Sequence, residues 1–166
     1  MKGKSFEIKV SDLLNHLGSD SISFEGKKTG LLPNLTEEGM SWVLYFHSVH
    51  GESVLVSLED CDCVLRDECD TCGAEFLRLI HVDTYSAKFT LRVQELEESL
   101  DEVLFLIDPK NETINVEEML YQAVLLQEPF VKRCPKCGSD SSIGVSDGEG
   151  IEDETTFGWV VEFRGL

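Results

Sequence analysis

The sequence predicts an α+β fold, a mainly antiparallel β-sheet with one well-defined helix and a four-cysteine zinc site formed by two knuckles. Three patterns carry this reading. Apolar and polar residues alternate through most of residues 42–93, residues 116–127 switch to helical spacing, and Cys-x-x-Cys-Gly occurs twice, at positions 69–73 and 134–138. The strands follow one another without intervening crossover helices, which favours antiparallel pairing.

Taken in order, Phe6, Ile8 and Val10 alternate with Glu7 and Lys9 as in a half-buried strand. Leu13, Leu14 and Leu17 then form a short helix capped by Ser11 or Asp12 and stopped by Gly18. Residues 26–39, rich in Gly, Lys, Pro and Asn, read as a loop. Residues 42–49 and 53–65 flank His50-Gly51-Glu52 as the two strands of a long hairpin. Val54, Val56 and Leu58 share a phase that Cys61, Cys63 and Leu65 reverse, so a bulge near Glu59 and Asp60 keeps one apolar face continuous.

Strands follow at 76–82 and 85–93, the second with strict alternation from Tyr85 to Val93. Residues 94–102, with five acidic side chains, form a solvated connection, and 103–107 form a short strand ended by Asp108-Pro109. Val116, Met119, Leu120, Ala123, Val124 and Gln127 then define the helix, with Asn115 as cap, Glu118 as its reciprocal partner and Pro129 as its end. Residues 1–138 make a single zinc-clipped domain with its core in 42–138. Residues 139–156, with six acidic and no basic side chains, are expected to be mobile, and 157–166 to form a final strand or tail.

The 166 residues suffice for one well-formed core, and no apolar run approaches the roughly 20 residues that cross a bilayer. The N-terminus lacks the layout of a secretory leader, so a cytoplasmic location without membrane contact is expected. The formal charge of -18, from 32 acidic and 14 basic residues, disfavours extended contact with naked nucleic acid and favours a basic protein partner.

Six cysteines in a reducing compartment point to metal chemistry more than to disulfides. Two residues between thiolates let one tight turn present both sulfurs to a single ion, and a glycine after the second relieves the turn at positive φ. Cys69, Cys72, Cys134 and Cys137 thus form a complete tetrahedral set with no open coordination position, which assigns a structural Zn2+ rather than a catalytic one. Four cysteines alone also admit an iron–sulfur centre. Cys61 and Cys63 face the same way along one strand and read as buried apolar residues.

No phosphate-cradling glycine motif, nucleophile elbow or paired acid and base is present, and His16, His47, His50 and His81 lack partners at metal or triad spacing. A zinc deaminase would need a His-x-Glu segment, which the chain lacks. A non-enzymatic protein is expected. Arg78, Lys88, Arg92, Lys132, Arg133 and Lys136 form a candidate basic patch around the metal for RNA or partner contact, with scattered solubilising charge as the alternative.

The ordered combination of a long hairpin, Cys69-x-x-Cys72, the strands of 76–93, an acidic connection, the segment Ile114-Asn-Val-Glu-Glu-Met-Leu-Tyr-Gln-Ala-Val-Leu-Leu-Gln-Glu-Pro129 and Cys134-x-x-Cys137 resembles the YceD-like family of large ribosomal RNA subunit accumulation proteins. The likeness spans roughly residues 42–138. That family usually carries an arginine before its second cysteine and a leucine after it, where this chain has Thr71 and Gly73, so only the four cysteines carry over. The resemblance implies a zinc-binding factor needed for large-subunit ribosomal RNA accumulation and ribosome biogenesis. Its partner would be a basic ribosomal protein or a large-subunit assembly intermediate, with direct RNA contact left open. The alternative is a zinc-stabilised protein-interaction module unrelated to ribosomes.

Overall fold

His50 and Gly51 adopt φ of 54° and 71°, the left-handed backbone that a tight hairpin turn requires, and the rest of the sheet is laid down from this turn. The computed structural model describes residues 6–94 and 102–138. The turn joins β3 (Leu35–Val49) to β4 (Ser53–Glu68), and β4 pairs along its whole length with β5 (Glu75–Thr90). With β2 (Ser19–Lys27) and β6 (Leu104–Leu106) these form a five-stranded sheet in the order β2-β3-β4-β5-β6. A second, two-stranded sheet pairs β1 (Glu7–Lys9) with β7 (Thr113–Asn115).

The expected bulge forms. Between β3 and β4 the register shifts where Ser41 faces Asp62 but Val43 faces Glu59, and Asp60 takes φ of 49°. The phase of burial switches there from Val54, Val56 and Leu58 to Cys61, Cys63 and Leu65, all fully or nearly fully buried. β5 switches phase at the same level, from Val82 to Ala87, so its pairing with β4 stays in register and what read as two strands is one.

Residues 26–39 are not one loop, because strand structure ends at Lys27 and resumes at Leu35. Gly26 and Gly39 instead face each other at a break in register between β2 and β3, with φ of 64° and 76°. A Cβ at Gly39 would lie 2.6 Å from the Lys27 carbonyl oxygen. These glycines let two strands approach across a bulge; they do not mark a loop.

Trp42 anchors the buried face of the sheet, 1% exposed and packed against the Phe6 and Phe24 rings. The core therefore begins at Phe6 rather than at residue 42. The helix α2 (Glu117–Leu125) covers the sheet with Met119, Leu120, Ala123 and Val124. The N-cap is Val116, without a side-chain cap bond, so Asn115 lies one residue before the expected cap position, its side chain accepting from the Glu117 N–H at 2.9 Å. The shorter α1 (Ser11–Asn15) has Val10 at its N-cap, with Ser11 already helical. β6 joins β5 in parallel, the one departure from antiparallel pairing in the described sheets. Residues 95–101, within the acidic connection, and the expectations for 139–166 lie outside the described residues. Among the described residues no helix is long and apolar enough to cross a membrane.

Candidate metal centre

Two turns at the far end of the β4–β5 ladder carry the four cysteines. Cys69 directly follows β4, and its N–H donates to the Ala74 carbonyl (2.9 Å) while the Gly73 N–H donates to the Cys69 carbonyl (2.8 Å), closing the first knuckle. Gly73 has φ of 72°, the left-handed conformation expected of it. The second knuckle is a single helical turn, α3 (Pro135–Gly138), in which the N–H groups of Cys137 and Gly138 donate to the Cys134 carbonyl at 3.0 and 2.9 Å. Gly138 has open space around it and no positive φ, so the glycine that follows this pair is not required by the turn.

Two reciprocal hydrogen bonds dock one knuckle on the other. The Asp70 N–H donates to the Lys132 carbonyl at 2.8 Å, and the Lys132 N–H donates to the Asp70 carboxylate at 2.6 Å. The ligand atoms of Cys69, Cys72, Cys134 and Cys137 all lie within 4.8 Å of one another, and the Cys72 and Cys134 sulfurs are 3.7 Å apart. Four sulfurs about 2.3 Å from a shared tetrahedral centre are separated by about 3.8 Å, so the spacing fits one ion and is far too long for a disulfide. The four cysteines can hold a metal ion. Cys69 and Cys134 are buried against Phe76, Cys137 is partly covered and Cys72 is exposed.

The electrostatics favour a thiolate at the first ligand. Backbone N–H groups, of Cys134 foremost and also of Cys72 and Thr71, hold the Cys69 thiol down at about 6. Hydrogen bonding with the Cys72 and Cys134 sulfurs pushes Cys137 up to about 12, because neighbouring thiols cannot all ionise without a cation to neutralise them. A divalent ion supplies that neutralisation.

Beside the centre lies a buried charge cluster that the motifs and spacings of the sequence do not announce. The Arg78 Nε donates to Asp67 at 2.6 Å, Arg78 Nη2 lies 3.5 Å from Glu128, and the Lys132 ammonium reaches Asp67 at 3.3 Å and Glu128 at 3.4 Å. Asp67 and Arg78 side chains are only 4% and 7% exposed. Burial works to raise the Asp67 carboxyl, but the Arg78 guanidinium and then Lys132 hold it below the usual carboxylate range. The available signal was phase, since Asp67 and Arg78 occupy the same inward positions as Leu65 and Ile80.

The six cations of the candidate patch are therefore not one surface. Arg78 and Lys132 are committed to the buried cluster, and Arg133 and Lys136 are exposed at the second knuckle. Arg92 pairs with Glu52 at the opposite end of the sheet, and Lys88 faces Leu104 of β6. Ten residues of strand at about 3.3 Å each place Lys88 about 30 Å from Arg78. Cys61 and Cys63 are buried, and removal from water pushes their thiols up to about 12 and about 11, as inert core residues require.

No family model matches the chain, and comparison with curated proteins and with solved structures likewise finds no match.

Proposed function

We propose that the protein is a zinc-stabilised, non-enzymatic factor of the reducing cytosol that supports large-subunit ribosomal RNA accumulation, engaging a basic ribosomal protein or an assembly intermediate. The observation that carries the metal assignment is the closed four-sulfur set, whose members lie within 4.8 Å of one another. Thiolate softness and tetrahedral spacing favour zinc, and a multi-iron cluster would spread the sulfurs apart by interposing iron and sulfide. With four protein ligands the ion has no position for substrate and acts as a clip. The chain's likeness in motif order to the YceD-like proteins supports the ribosomal role. The formal charge of -18 favours a basic partner over bare RNA.

Elemental analysis of the purified protein tests the metal; one zinc per chain is expected, and iron in its place overturns the assignment. The ribosomal role is tested by depleting the protein and measuring the ratio of large- to small-subunit ribosomal RNA, with rescue by wild type or by the Cys134→Ser/Cys137→Ser variant. A fall rescued only by wild type supports the reading. An unchanged ratio replaces it with a zinc-stabilised interaction module acting outside ribosome assembly.

A further inference from the structure

Next to the metal centre no described strand pairs with the outer edge of β5. Among the described residues, β5 pairs on one side with β4 throughout, while on the other side β6 covers only Lys88, Phe89 and Thr90. A cleft of about 460 Å³ runs between this edge and residues 129–138. Its position follows from its walls. Arg78 and Leu79 project to opposite faces of β5, one 6% and the other 50% exposed, yet both line the cleft, so it follows the strand's edge. Such an edge presents main-chain donors and acceptors to an added extended segment.

The Arg78 guanidinium is incompletely satisfied. Asp67 takes Nε at 2.6 Å, Glu128 meets Nη2 only at 3.5 Å, and Nη1 is buried with no hydrogen-bond partner among the described residues. A buried charged donor without an acceptor is costly, and Arg78 lines the cleft, where its guanidinium can take a further carboxylate. Glu128, a third exposed and at the limit of contact, is the acceptor an incoming carboxylate can displace. Phe76, Leu79, Val131 and Pro135 give the rest of the cleft an apolar lining, and exposed Arg133 adds positive charge at its rim.

We propose that this cleft binds an extended peptide segment of a partner protein that carries a carboxylate between apolar side chains, with the carboxylate on the Arg78 guanidinium and the peptide backbone along β5. The apolar lining and the main-chain edge favour a peptide over a nucleic acid, whose phosphates would meet only Arg78 and the cations beside the second knuckle. On a chain of net charge -18 this is a locally cationic site, separate from the acidic surface invoked for a basic partner.

The test uses the full-length, metal-loaded chain and three probes: N-acetyl-Leu-Glu-Leu-Asp-Val-amide, its Gln/Asn counterpart, and an octauridylate RNA. Binding is followed by heteronuclear NMR. The acidic peptide is expected to shift the amides of residues 77–81, the Arg78 Nε–H and the Leu79 and Val131 methyls, and to bind at least about tenfold more tightly than the uncharged counterpart. Leu79→Glu, at a half-exposed position, should weaken it by about tenfold, while Glu128→Gln, which removes the competing carboxylate, should tighten it. A merely structural Arg78 would give no gain from Glu128→Gln. Equal binding of the two peptides, shifts away from the β5 edge, tighter binding of the RNA, or no shift at millimolar peptide each overturns the proposal.

Discussion

Removing the second pair of ligands should release residues 129–138 and leave the sheet intact. The cluster around Cys69, Phe76 and Cys134 is separate from the main core, which runs from Phe6 through the sheet to Val124. Fixing the roughly ten residues of 129–138 costs about 1–2 kcal/mol each, or about 10–20 kcal/mol. Against this stand the two Asp70–Lys132 hydrogen bonds, at about 1 kcal/mol each, and the partly exposed Lys132 ion pairs. A structural zinc contributes about 10–16 kcal/mol, the size of the deficit. In Cys134→Ser/Cys137→Ser, hydrogen exchange followed by mass spectrometry should show protection in 129–138 falling by about a hundredfold or more, equivalent to about 2.8 kcal/mol. Protection in β3 and β4 and the emission of buried Trp42 should stay as in wild type. Loss of protection throughout the sheet would refute the separation of the two clusters. Retained protection in 129–138 would refute the ion's role in ordering it.

Three further outcomes follow from the sheet. His81 donates hydrogen bonds to Asp62 at 2.6 Å and Asp83 at 2.9 Å, and these carboxylates, Asp62 first, raise its pKa above the ordinary value of 6.5. The stabilisation from this pairing is therefore full below about 6.5 and lost as pH rises through the folded value, and NMR titration should show Asp62→Asn returning His81 towards 6.5. Cys61 and Cys63, buried and with raised thiols, should resist iodoacetamide at neutral pH until the sheet unfolds, and rapid native alkylation would place them in a mobile or exposed environment. Gly39→Ala meets both a positive φ and a 2.6 Å approach to the Lys27 carbonyl, so denaturant unfolding should show a loss of about 1–3 kcal/mol or more.

What the sequence made legible was periodicity and spacing. The hairpin, the bulge at Asp60, the α2 register and the four cysteines all rest on local patterns, and the fold carries them out. Composition misled at 26–39, because glycine signals positive φ and close approach without saying whether a loop or a bulged strand needs them. Strand β1 was legible in the alternation of Phe6, Ile8 and Val10, but its pairing with the three-residue β7 far along the chain is revealed by no local window. The cation patch failed for the same reason. Proximity in sequence grouped Lys132 with Arg133, yet the first turns to buried Asp67 and the second to solvent.

The charge cluster and the four-cysteine site lie on overlapping parts of the molecule. Asp67 and Arg78 belong to adjacent strands of the sheet, whereas Lys132 belongs to the segment that carries the second pair of cysteines. Asp67→Ala leaves Arg78 buried against a single 3.5 Å contact, and breaking such a pair costs about 3–5 kcal/mol. Lys132 also pairs with Asp67 and residues 129–138 wall the cleft beside Arg78, so Asp67→Ala should cost less in the Cys134→Ser/Cys137→Ser background. Urea unfolding of the four proteins should give a coupling of about 0.5–3 kcal/mol. Additivity within about 0.5 kcal/mol would mean that Lys132 contributes nothing to the cluster. The main core lies apart from the knuckles, so a metal-deprived protein would keep its sheet. A defect in ribosomal RNA ratio with the cysteine variant would then report the loss of the surface built by residues 129–138, not the loss of the protein.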